Sequence, residues 1–264
     1  MYTVQSILDS NYTGDWYIVI GDDDPYIEQY IEKYNEKIIV ISKEYAMSIT
    51  DACDNFNKKN AVVYARNISF ELAREMNYKY FLELDDDYYN FRYRYEDNGK
   101  LLSLKVKEFD ELVKIMIDFL EDTGSTSVAF AQSGDFIGGS DSSMYQSMVK
   151  RKAMNSFFCS SEKGFKFIGT INEDVNTYCS LGKIGKIFFT IRDVCLDQKQ
   201  TQNNPGGLTD IYIENGTYLK SFYSVITNPS CIKIKWMPSK KGRIHHTINW
   251  NKCVPKIISC KYKK

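Results

Sequence analysis

The sequence predicts an α/β protein with a mixed, mostly parallel central sheet and helices packed on both of its faces. In the first half of the 264-residue chain, short apolar stretches alternate with amphipathic helical stretches, which is typical of parallel sheets. Hydrophobic residues make up 43% of the chain and charged residues 26%, values ordinary for a globular protein with a sizeable core. This composition excludes disordered and collagen-like chains.

Apolar stretches of strand length divide the first half of the chain. The predicted strands are Trp16–Ile20, Ile38–Ser42, Tyr80–Leu84 and Ser127–Ala131, with a further short strand at Ser103–Val106. Ala61–Ala65 is interpreted either as another strand or as a loop that leads into a helix.

Three helices are predicted between these strands. Asp24 as N-cap and Pro25 at the first helical position start a helix with the body Tyr26–Lys37. A second helix spans Ile68–Asn77, and a third, Phe109–Glu121, has its apolar residues at helical spacing.

The second half of the chain is less regular. Ala153–Cys159 and Lys186–Thr190 are predicted strands, and Gln198–Gly207 is a loop that we regard as a candidate flexible lid. No Pro-rich or Gly-rich linker separates the two halves, so we expect a single domain over residues 1–264.

The cysteines and the short apolar stretches predict a protein of a reducing cytoplasm. The seven cysteines are odd in number and none form a C-x-x-C pair, which favours reduced, separate thiols and argues against a zinc ribbon. No apolar run approaches the roughly 18 residues of a membrane span. Met1–Ser10 lacks the basic start and apolar core of a secretory signal, so we expect a cytoplasmic location and no membrane partner.

The formal net charge of zero hides an asymmetry along the chain. After Glu214 there is no acidic residue, whereas 11 of the 34 basic residues lie in the last 50 positions. Trp236, His245, His246 and Trp250 are interleaved with these charges. A basic segment on an acidic body indicates either a polyanionic partner or a solvated terminus that balances the body.

The sharpest chemical motif is Phe81–Asp87, in which an apolar strand is followed at once by three acids. Asp85 and Asp87 point to the same side of an extended chain, and two such carboxylates can hold a hard divalent cation. The cation can neutralise a diphosphate and make it a better leaving group. The end of a strand is also where α/β sheets bind ligands. The alternative is a solvated acidic turn.

A second acidic pair, Glu173 and Asp174, lies between apolar residues shortly after Gly169. One of these acids can act as a general base that takes the proton of an acceptor hydroxyl. The pair is equally suited to a helix N-terminus, where acids offset the helix dipole, and both roles can hold at once.

Histidine and arginine side chains complete the candidate site. His245 and His246 are the two histidines of the chain and suit Mn-like ions; in an extended segment they point oppositely, so we expect only one to bind metal. Arg66, followed by Asn67, lies ahead of the acidic strand. Its guanidinium is expected to pair with a phosphate, with a carboxylate of that motif, or in a surface ion pair.

The order of these features resembles the GT-A fold, the Rossmann-like fold of nucleotide-sugar glycosyltransferases, and more specifically the TET/JBP-associated glycosyltransferases of bacteriophages. The matching stretches are Ala65–Asn67, Leu84–Phe91 with Arg92, Asn172–Tyr178, Gly206–Asp210 and Arg243–Trp250. The resemblance implies a metal-dependent, inverting transfer of a sugar from a UDP-sugar to hydroxymethylpyrimidine bases of phage DNA. Residues 1–132 would bind the nucleotide sugar and residues 133–264 the acceptor. The alternatives are a glycan or protein acceptor, a nucleotidyltransferase, and a DNA-binding protein with a decayed site.

The resemblance also implies a role for each candidate residue. Asp174 would be the catalytic base, assisted by Glu173. Mn²⁺ or Mg²⁺ would be bound by Asp87 and Asp85 and by one of the two histidines, His245 or His246. The nucleotide sugar would be contacted by Arg66, Asn67, Asp85, Asp86 and Arg92, and DNA by Lys240, Lys241, Arg243 and Trp250. Because three acids are consecutive and two histidines adjacent, the individual metal ligands stay open.

Overall fold

The computed structural model describes residues 1–56, 59–136, 139–141, 156–199, 218–237 and 242–253. The helices in these ranges are α1 (Tyr2–Leu8), α2 (Ile27–Tyr34), α3 (Lys43–Ser48), α4 (Val62–Glu75), α5 (Phe109–Thr123), α6 (Glu173–Lys183), α7 (Tyr218–Thr227) and α8 (Trp250–Cys253). The strands are β1 (Ile18–Gly21), β2 (Ile38–Ile41), β3 (Tyr80–Leu84), β4 (Tyr88–Asp97), β5 (Lys100–Lys105), β6 (Ser127–Gln132), β7 (Ser156–Ser160), β8 (Phe188–Gln198), β9 (Ile232–Met237) and β10 (Arg243–Ile248).

A six-stranded mixed sheet lies at the centre of the fold, in the order β3-β7-β6-β8-β4-β5. Two smaller sheets accompany it, the parallel pair β1–β2 and the antiparallel hairpin β9–β10. The predicted mixed α/β, GT-A-like class is confirmed. The expected predominance of parallel strands is not met in the described sheet, because only β6 and β8 pair in parallel and the other four neighbouring pairs are antiparallel.

One of these antiparallel pairs is the hairpin β4–β5, and β4 forms another with β8. The two hairpin strands are joined through Asn98 and Gly99, which both have positive φ angles, 50° and 74°. Asn-Gly is the dipeptide that favours a two-residue hairpin turn, because both residues tolerate left-handed backbone. The sequence therefore carried a hairpin signal directly after the acidic motif, which the strand-helix alternation did not reveal.

Helices cover both faces of the central sheet, as predicted. Along β7, Phe158 packs on the α5 side with Phe130 and Met116, whereas Phe157 and Cys159 pack on the α4 side. This alternation follows from the two-residue period of a strand. Each face is buried under an apolar cluster, so the ends of the strands and their loops remain available for a site.

Several predicted boundaries shift in the structure. Asp24 is not the N-cap of α2, which begins at Ile27; its carboxylate instead accepts a hydrogen bond from the Tyr26 amide at 2.8 Å, in the turn before the helix. Ala61–Ala65 is not a strand, since Ala61 is the N-cap of α4 and the helix starts at Val62. The strand predicted at Lys186–Thr190 begins at Phe188 and continues to Gln198.

Other elements had no counterpart in the prediction, among them α1, α3 and the C-terminal elements from α7 to α8. The strand predicted at Ala153–Cys159 overlaps β7, but residues 153–155 lie outside the described ranges, as do residues 200–207 of the candidate lid. No helix within the described ranges has the length and apolar character needed to cross a membrane.

Candidate active site

A cavity of about 1020 Å³ opens where β3 ends and α6 begins. Its lining includes eight of the predicted site residues, which come from both halves of the chain: Arg66, Asp85, Asp86, Asp87, Glu173, Asp174, His245 and His246. The strand-end acids, the helix N-terminal acids and the histidines, which are far apart in sequence, therefore border one space.

Arg66 lies on the buried face of α4, although it is charged. The buried positions of this helix include Val63, Arg66, Phe70 and Ala73, which recur at helical spacing. Arg66 is only 4% exposed, so the helix delivers its guanidinium to the interior of the fold instead of to solvent. A buried arginine requires partners that match its charge and its hydrogen-bond donors.

Two carboxylates from distant elements supply those partners. Arg66 Nη2 lies 2.8 Å from Asp85 Oδ1, and Arg66 Nη1 lies 2.5 Å from Glu173 Oε1. The centre of the guanidinium is 5.1 Å from the Phe157 ring and 5.5 Å from the Phe167 ring, so aromatic faces flank the ion pairs. Burial by itself lowers the pKa of Arg66, but Asp85 and Glu173 raise it well above its ordinary value. Three kinds of partner were predicted for Arg66, and the structure shows one of them, the Asp85 carboxylate of the acidic motif.

The strand period of β3 explains why Asp85 meets Arg66. Leu82 and Leu84 face the α5 side, whereas Phe81 faces the α4 side, and the same alternation turns Glu83 and Asp85 toward α4. Asp85 also accepts a hydrogen bond from the Tyr88 hydroxyl at 3.1 Å through its second oxygen, Oδ2. Both carboxylate oxygens of Asp85 are thus engaged by protein donors.

Glu83 is a buried acid of this site that the sequence analysis missed. Both of its carboxylate oxygens are buried, and neither has a hydrogen-bond partner among the described residues. Burial raises the pKa of Glu83 well above its ordinary value; Arg66 opposes this shift and Asp85 adds to it. The sequence did carry a signal for Glu83, which is an acid inside the apolar run Phe81–Leu84. An acid in a buried strand must be paired with a cation or be neutral.

The two acids after Asp85 have different environments. The Asp86 side chain is exposed, and its backbone carbonyl accepts hydrogen bonds from the amides of Tyr2 and Thr3 at the start of α1. Asp87 is half-buried, and its Oδ2 accepts a hydrogen bond from Gln198 Nε2 at 3.0 Å. Its Oδ1 is buried and has no partner among the described residues. Burial raises the pKa of Asp87, and the hydrogen bond from Gln198 only partly opposes this shift. The protein contacts of Asp87 therefore do not fully replace the water that its charged form loses.

Glu173 and Asp174 occupy the first two positions of α6, where the helix dipole favours negative charge. Asn172 caps this helix in a left-handed conformation with φ of 54°. Its side-chain amide donates to the Lys220 carbonyl at 2.8 Å and to Ser224 Oγ at 2.9 Å, which ties the helix start to α7. Burial raises the pKa of Glu173, Arg66 opposes this and Asp174 adds to it. The predicted helix N-terminus is therefore confirmed, and both acids also border the cavity.

A cluster of polar side chains holds the segment that leads into α6. Thr170 Oγ1 donates to Asp54 Oδ2 at 2.6 Å, and the Tyr223 hydroxyl also donates to this carboxylate. The Thr170 amide donates to the same tyrosine hydroxyl at 3.0 Å. These bonds link three distant parts of the chain and fix the direction in which Glu173 and Asp174 enter the cavity.

His245 and His246 lie on β10, and both border the cavity even though the strand is extended. Their ring centroids are 4.4 Å apart. Among the described residues, the ligand atoms of Asp85, Asp87, His245 and His246 do not form a set of three within 4.8 Å of one another. A divalent cation at this place would therefore need oxygen ligands from a substrate as well, which is usual for Mg²⁺ bound with phosphates.

The other predicted site residues within the described ranges do not line the cavity. Asn67 donates to the Phe167 carbonyl at 2.9 Å, so it holds the segment before α6. Arg92 pairs through Nε with Asp197 on the neighbouring strand at 2.7 Å. Trp250 packs against two apolar clusters, the one on the α4 side of the sheet and the one that contains Val175 of α6. Arg243 is exposed at the start of β10. Lys240 and Lys241 lie outside the described residues.

We expect Arg66→Met to destabilise the fold strongly, because it leaves Asp85 and Glu173 buried without their cation. Breaking one side of a buried ion pair costs ~3–5 kcal/mol. Urea denaturation of the variant and of the parent protein measures this loss. Arg74→Met on the same helix is the control, since Arg74 is exposed and its guanidinium donates only to the Ser161 carbonyl at 3.1 Å. Equal losses in the two variants would contradict a special role of the Arg66 ion pairs.

We expect Glu83→Gln to flatten the pH dependence of stability. A carboxyl group with a raised pKa in the folded state contributes stability that is complete below its ordinary pKa of 4.5 and is lost as pH rises through the raised value. The neutral amide cannot lose that contribution. Melting temperatures over a pH series should therefore fall more steeply for the parent protein than for the variant. Glu111→Gln, at an exposed position of α5, should follow the parent curve; parallel curves for all three proteins would be inconsistent with a buried neutral Glu83.

Comparison with known protein families identifies the chain. The family model of the TET-associated glycosyltransferases matches residues 1–207, which include α4, the acidic motif after β3 and the acids at the start of α6. No curated protein and no solved structure matches the chain. The match covers well over half of the sequence. The chain therefore belongs to the TET-associated glycosyltransferase family and is a glycosyltransferase.

Proposed function

We propose that the protein transfers a sugar from a UDP-sugar to the hydroxyl group of a hydroxymethylpyrimidine base in DNA, with inversion at the sugar and with the help of Mn²⁺ or Mg²⁺. The observation that carries the proposal is the single cavity bordered by Arg66, the strand-end acids, Glu173 and Asp174, and the two histidines. A DNA acceptor of phage origin would place the reaction in the cytoplasm of the infected cell.

Asp87 is the residue that best fits the cation. Its Oδ1 is buried without a partner among the described residues, while both oxygens of Asp85 are already engaged. His245 or His246 would join it, together with diphosphate oxygens of the donor. A bound cation would neutralise charge that develops on the diphosphate as it leaves. Asp85, held in place by Arg66 and Tyr88, would then contact the ribose of the donor.

Asp174 is our candidate for the catalytic base. Glu173 is committed to Arg66, whereas Asp174 borders the cavity and accepts the Val175 amide at 2.7 Å through Oδ1. In the proposed step the acceptor oxygen bonds to the anomeric carbon while the bond from that carbon to the diphosphate oxygen breaks. The hydroxyl proton passes to Asp174, and UDP leaves. Glu173 acts on this step by positioning Arg66 and the start of α6.

The hairpin β9–β10 supports a polyanionic acceptor next to the cavity. Lys235 on β9 lies directly opposite His245 on β10. Lys233 is two positions before Lys235, and Arg243 is two positions before His245, so all four side chains share one face of the hairpin. Lys233, Lys235 and Arg243 are exposed, and His245 borders the cavity. Exposed cations of this kind bind DNA phosphates, and that binding weakens as salt rises.

Mass spectrometry of nucleosides tests the proposal. The full-length protein is incubated with Mn²⁺, a pool of UDP-hexoses and UDP-pentoses, and duplex DNA that carries hydroxymethyluracil, hydroxymethylcytosine or only unmodified bases. We expect a sugar-sized mass gain on a hydroxymethylated base, none on unmodified DNA, and none after chelation of the metal. Mn²⁺-dependent UDP binding without transfer to either base would reject the DNA acceptor. No binding of UDP would reject the UDP-sugar donor.

We expect Asp174→Asn to reduce transfer by ~10²–10⁴-fold, the usual contribution of a general base. The side chain keeps its size, so UDP affinity in the presence of Mn²⁺ should be unchanged. Steady-state transfer and UDP titration separate the two effects. Transfer at the parent rate would exclude Asp174 as the base, and would direct the search to Glu173.

We expect Asp87→Asn to remove the metal dependence of UDP binding and to reduce transfer by ~10²-fold or more, since a metal supplies several kcal/mol of charge stabilisation. Calorimetric titration with UDP, with and without Mn²⁺, measures the coupling. Asp118→Asn is the matched control because Asp118 is exposed on α5 and its side chain does not line the cavity. A parent-like response of Asp87→Asn to Mn²⁺ would show that the cation is bound elsewhere.

A further inference from the structure

Three buried cysteines meet at a place outside the catalytic cavity. Cys179 lies on α6, Cys231 directly precedes β9, and Cys253 ends α8. Their three Sγ atoms lie within 4.8 Å of one another, and all three side chains are buried. Among the described residues, this is the one group of at least three His, Cys, Asp or Glu ligand atoms that approach so closely.

The sequence predicted separate thiols, and the structure differs for this trio. The three cysteines are separated by 51 and 21 intervening positions, so no short motif marks them. Folding brings them together because α6, the β9–β10 hairpin and α8 pack against one another. The surrounding side chains, Val175, Ile232, Val225, Ile248 and Trp250, are apolar, so they keep water away from the sulfur atoms.

The spacing of the sulfur atoms suits a metal ion of the zinc class. Zinc binds thiolates at ~2.3 Å in a tetrahedron, which places two sulfur ligands ~3.8 Å apart. Sulfur atoms within 4.8 Å need only small movements of their side chains to reach that geometry. In the reduced protein, the Cys253 thiol donates to the Asn249 carbonyl at 3.5 Å and the Cys231 thiol to the Asn228 carbonyl at 3.7 Å. These weak hydrogen bonds can be given up when a metal replaces the protons.

A lysine near the cysteines partly offsets the charge that a metal-bound trithiolate would carry. Three thiolates and one zinc ion carry a net charge of −1, which an apolar pocket would not tolerate without a nearby cation. Lys183, one turn after Cys179 on α6, reaches Asn228 Oδ1 with its amino group at 2.7 Å. Its positive charge acts on Cys253, where it opposes the rise in pKa that burial causes.

We propose that Cys179, Cys231 and Cys253 form a structural zinc site that fastens the histidine hairpin to the helix bearing Glu173 and Asp174. On binding, the three thiols release three protons to solvent and their sulfur atoms donate electron pairs to the ion, with no change of oxidation state. The three sulfur atoms supply three of the four tetrahedral positions, and the described residues place no fourth His, Cys, Asp or Glu ligand atom within 4.8 Å of all three. Cys231 precedes β9 and Cys253 follows β10, so the site holds both ends of the hairpin.

The zinc site does not rest on the proposed function, because it uses no residue of the cavity. It does bear on it. His245 and His246 border the cavity from β10, and Asp174 borders it from α6. The ion would keep these two elements at a constant separation.

Cobalt substitution of the full-length, reduced protein tests the proposal. Co²⁺ bound by thiolates gives sulfur-to-cobalt charge-transfer absorption, which carboxylate or imidazole ligands do not produce. We expect this absorption in the parent protein, its displacement by an equal amount of zinc, and zinc in the protein as purified. A folded parent protein without the charge-transfer absorption would overturn the proposal, and this measurement needs no variant.

Matched variants identify the ligands. Cys231→Ser should lose the charge-transfer absorption, whereas Cys159→Ser should keep it, because Cys159 is equally buried but packs on the α4 side of the central sheet. Asp87→Asn should also keep it, which distinguishes the thiolate site from the cation proposed in the cavity. Retention of the full absorption in Cys231→Ser would refute the assignment of Cys231. Circular dichroism confirms that each variant is folded.

Discussion

The buried guanidinium of Arg66 is the interaction on which the candidate site depends. It joins Asp85 at the end of β3 to Glu173 at the start of α6, and it packs against the rings of Phe157 and Phe167. Two ionised carboxylates that approach each other in the interior are strongly stabilised by a cation bound to both of them. Arg66 therefore brings the strand-end acids and the helix N-terminal acids to one cavity, and the same contacts stabilise the packing of α4 on the sheet.

The ion pairs also give the acids of the site different environments. Arg66 binds one carboxylate oxygen of Asp85 and one of Glu173, and the Tyr88 hydroxyl binds the second oxygen of Asp85. Asp87 keeps a buried oxygen without a partner among the described residues, and Asp174 stands beside the committed Glu173 at the helix N-terminus. A buried carboxylate oxygen without a protein partner in the described ranges, as in Asp87, can bind a cation, and a carboxylate that borders the cavity, as in Asp174, can accept a proton. The proposed metal-assisted sugar transfer requires these two properties of different residues.

The C-terminal elements complete the site from the opposite side. The hairpin β9–β10 contributes both histidines to the cavity and turns exposed lysines and an arginine outward on the face of His245. The hairpin packs against α6 through the apolar cluster that contains the three cysteines. The proposed donor contacts in the first half of the chain and the proposed acceptor contacts in the second half would thus be linked by packing on one helix, α6. The first turn of α6 carries the acids and a later turn carries Cys179.

The sequence by itself determined the α/β class, the strand that ends in the acidic motif, the amphipathic helix α5 and the list of candidate residues, because periodicity and strand-end acids are local properties of the chain. It did not determine the antiparallel course of β4 and β7, which depends on pairing between strands that are distant in sequence. It also could not separate the roles of Asp85 and Asp87, show that Glu83 is buried, or bring three scattered cysteines together. Only the tertiary structure decided these points, since the charge state and the partners of a side chain depend on what other elements place around it.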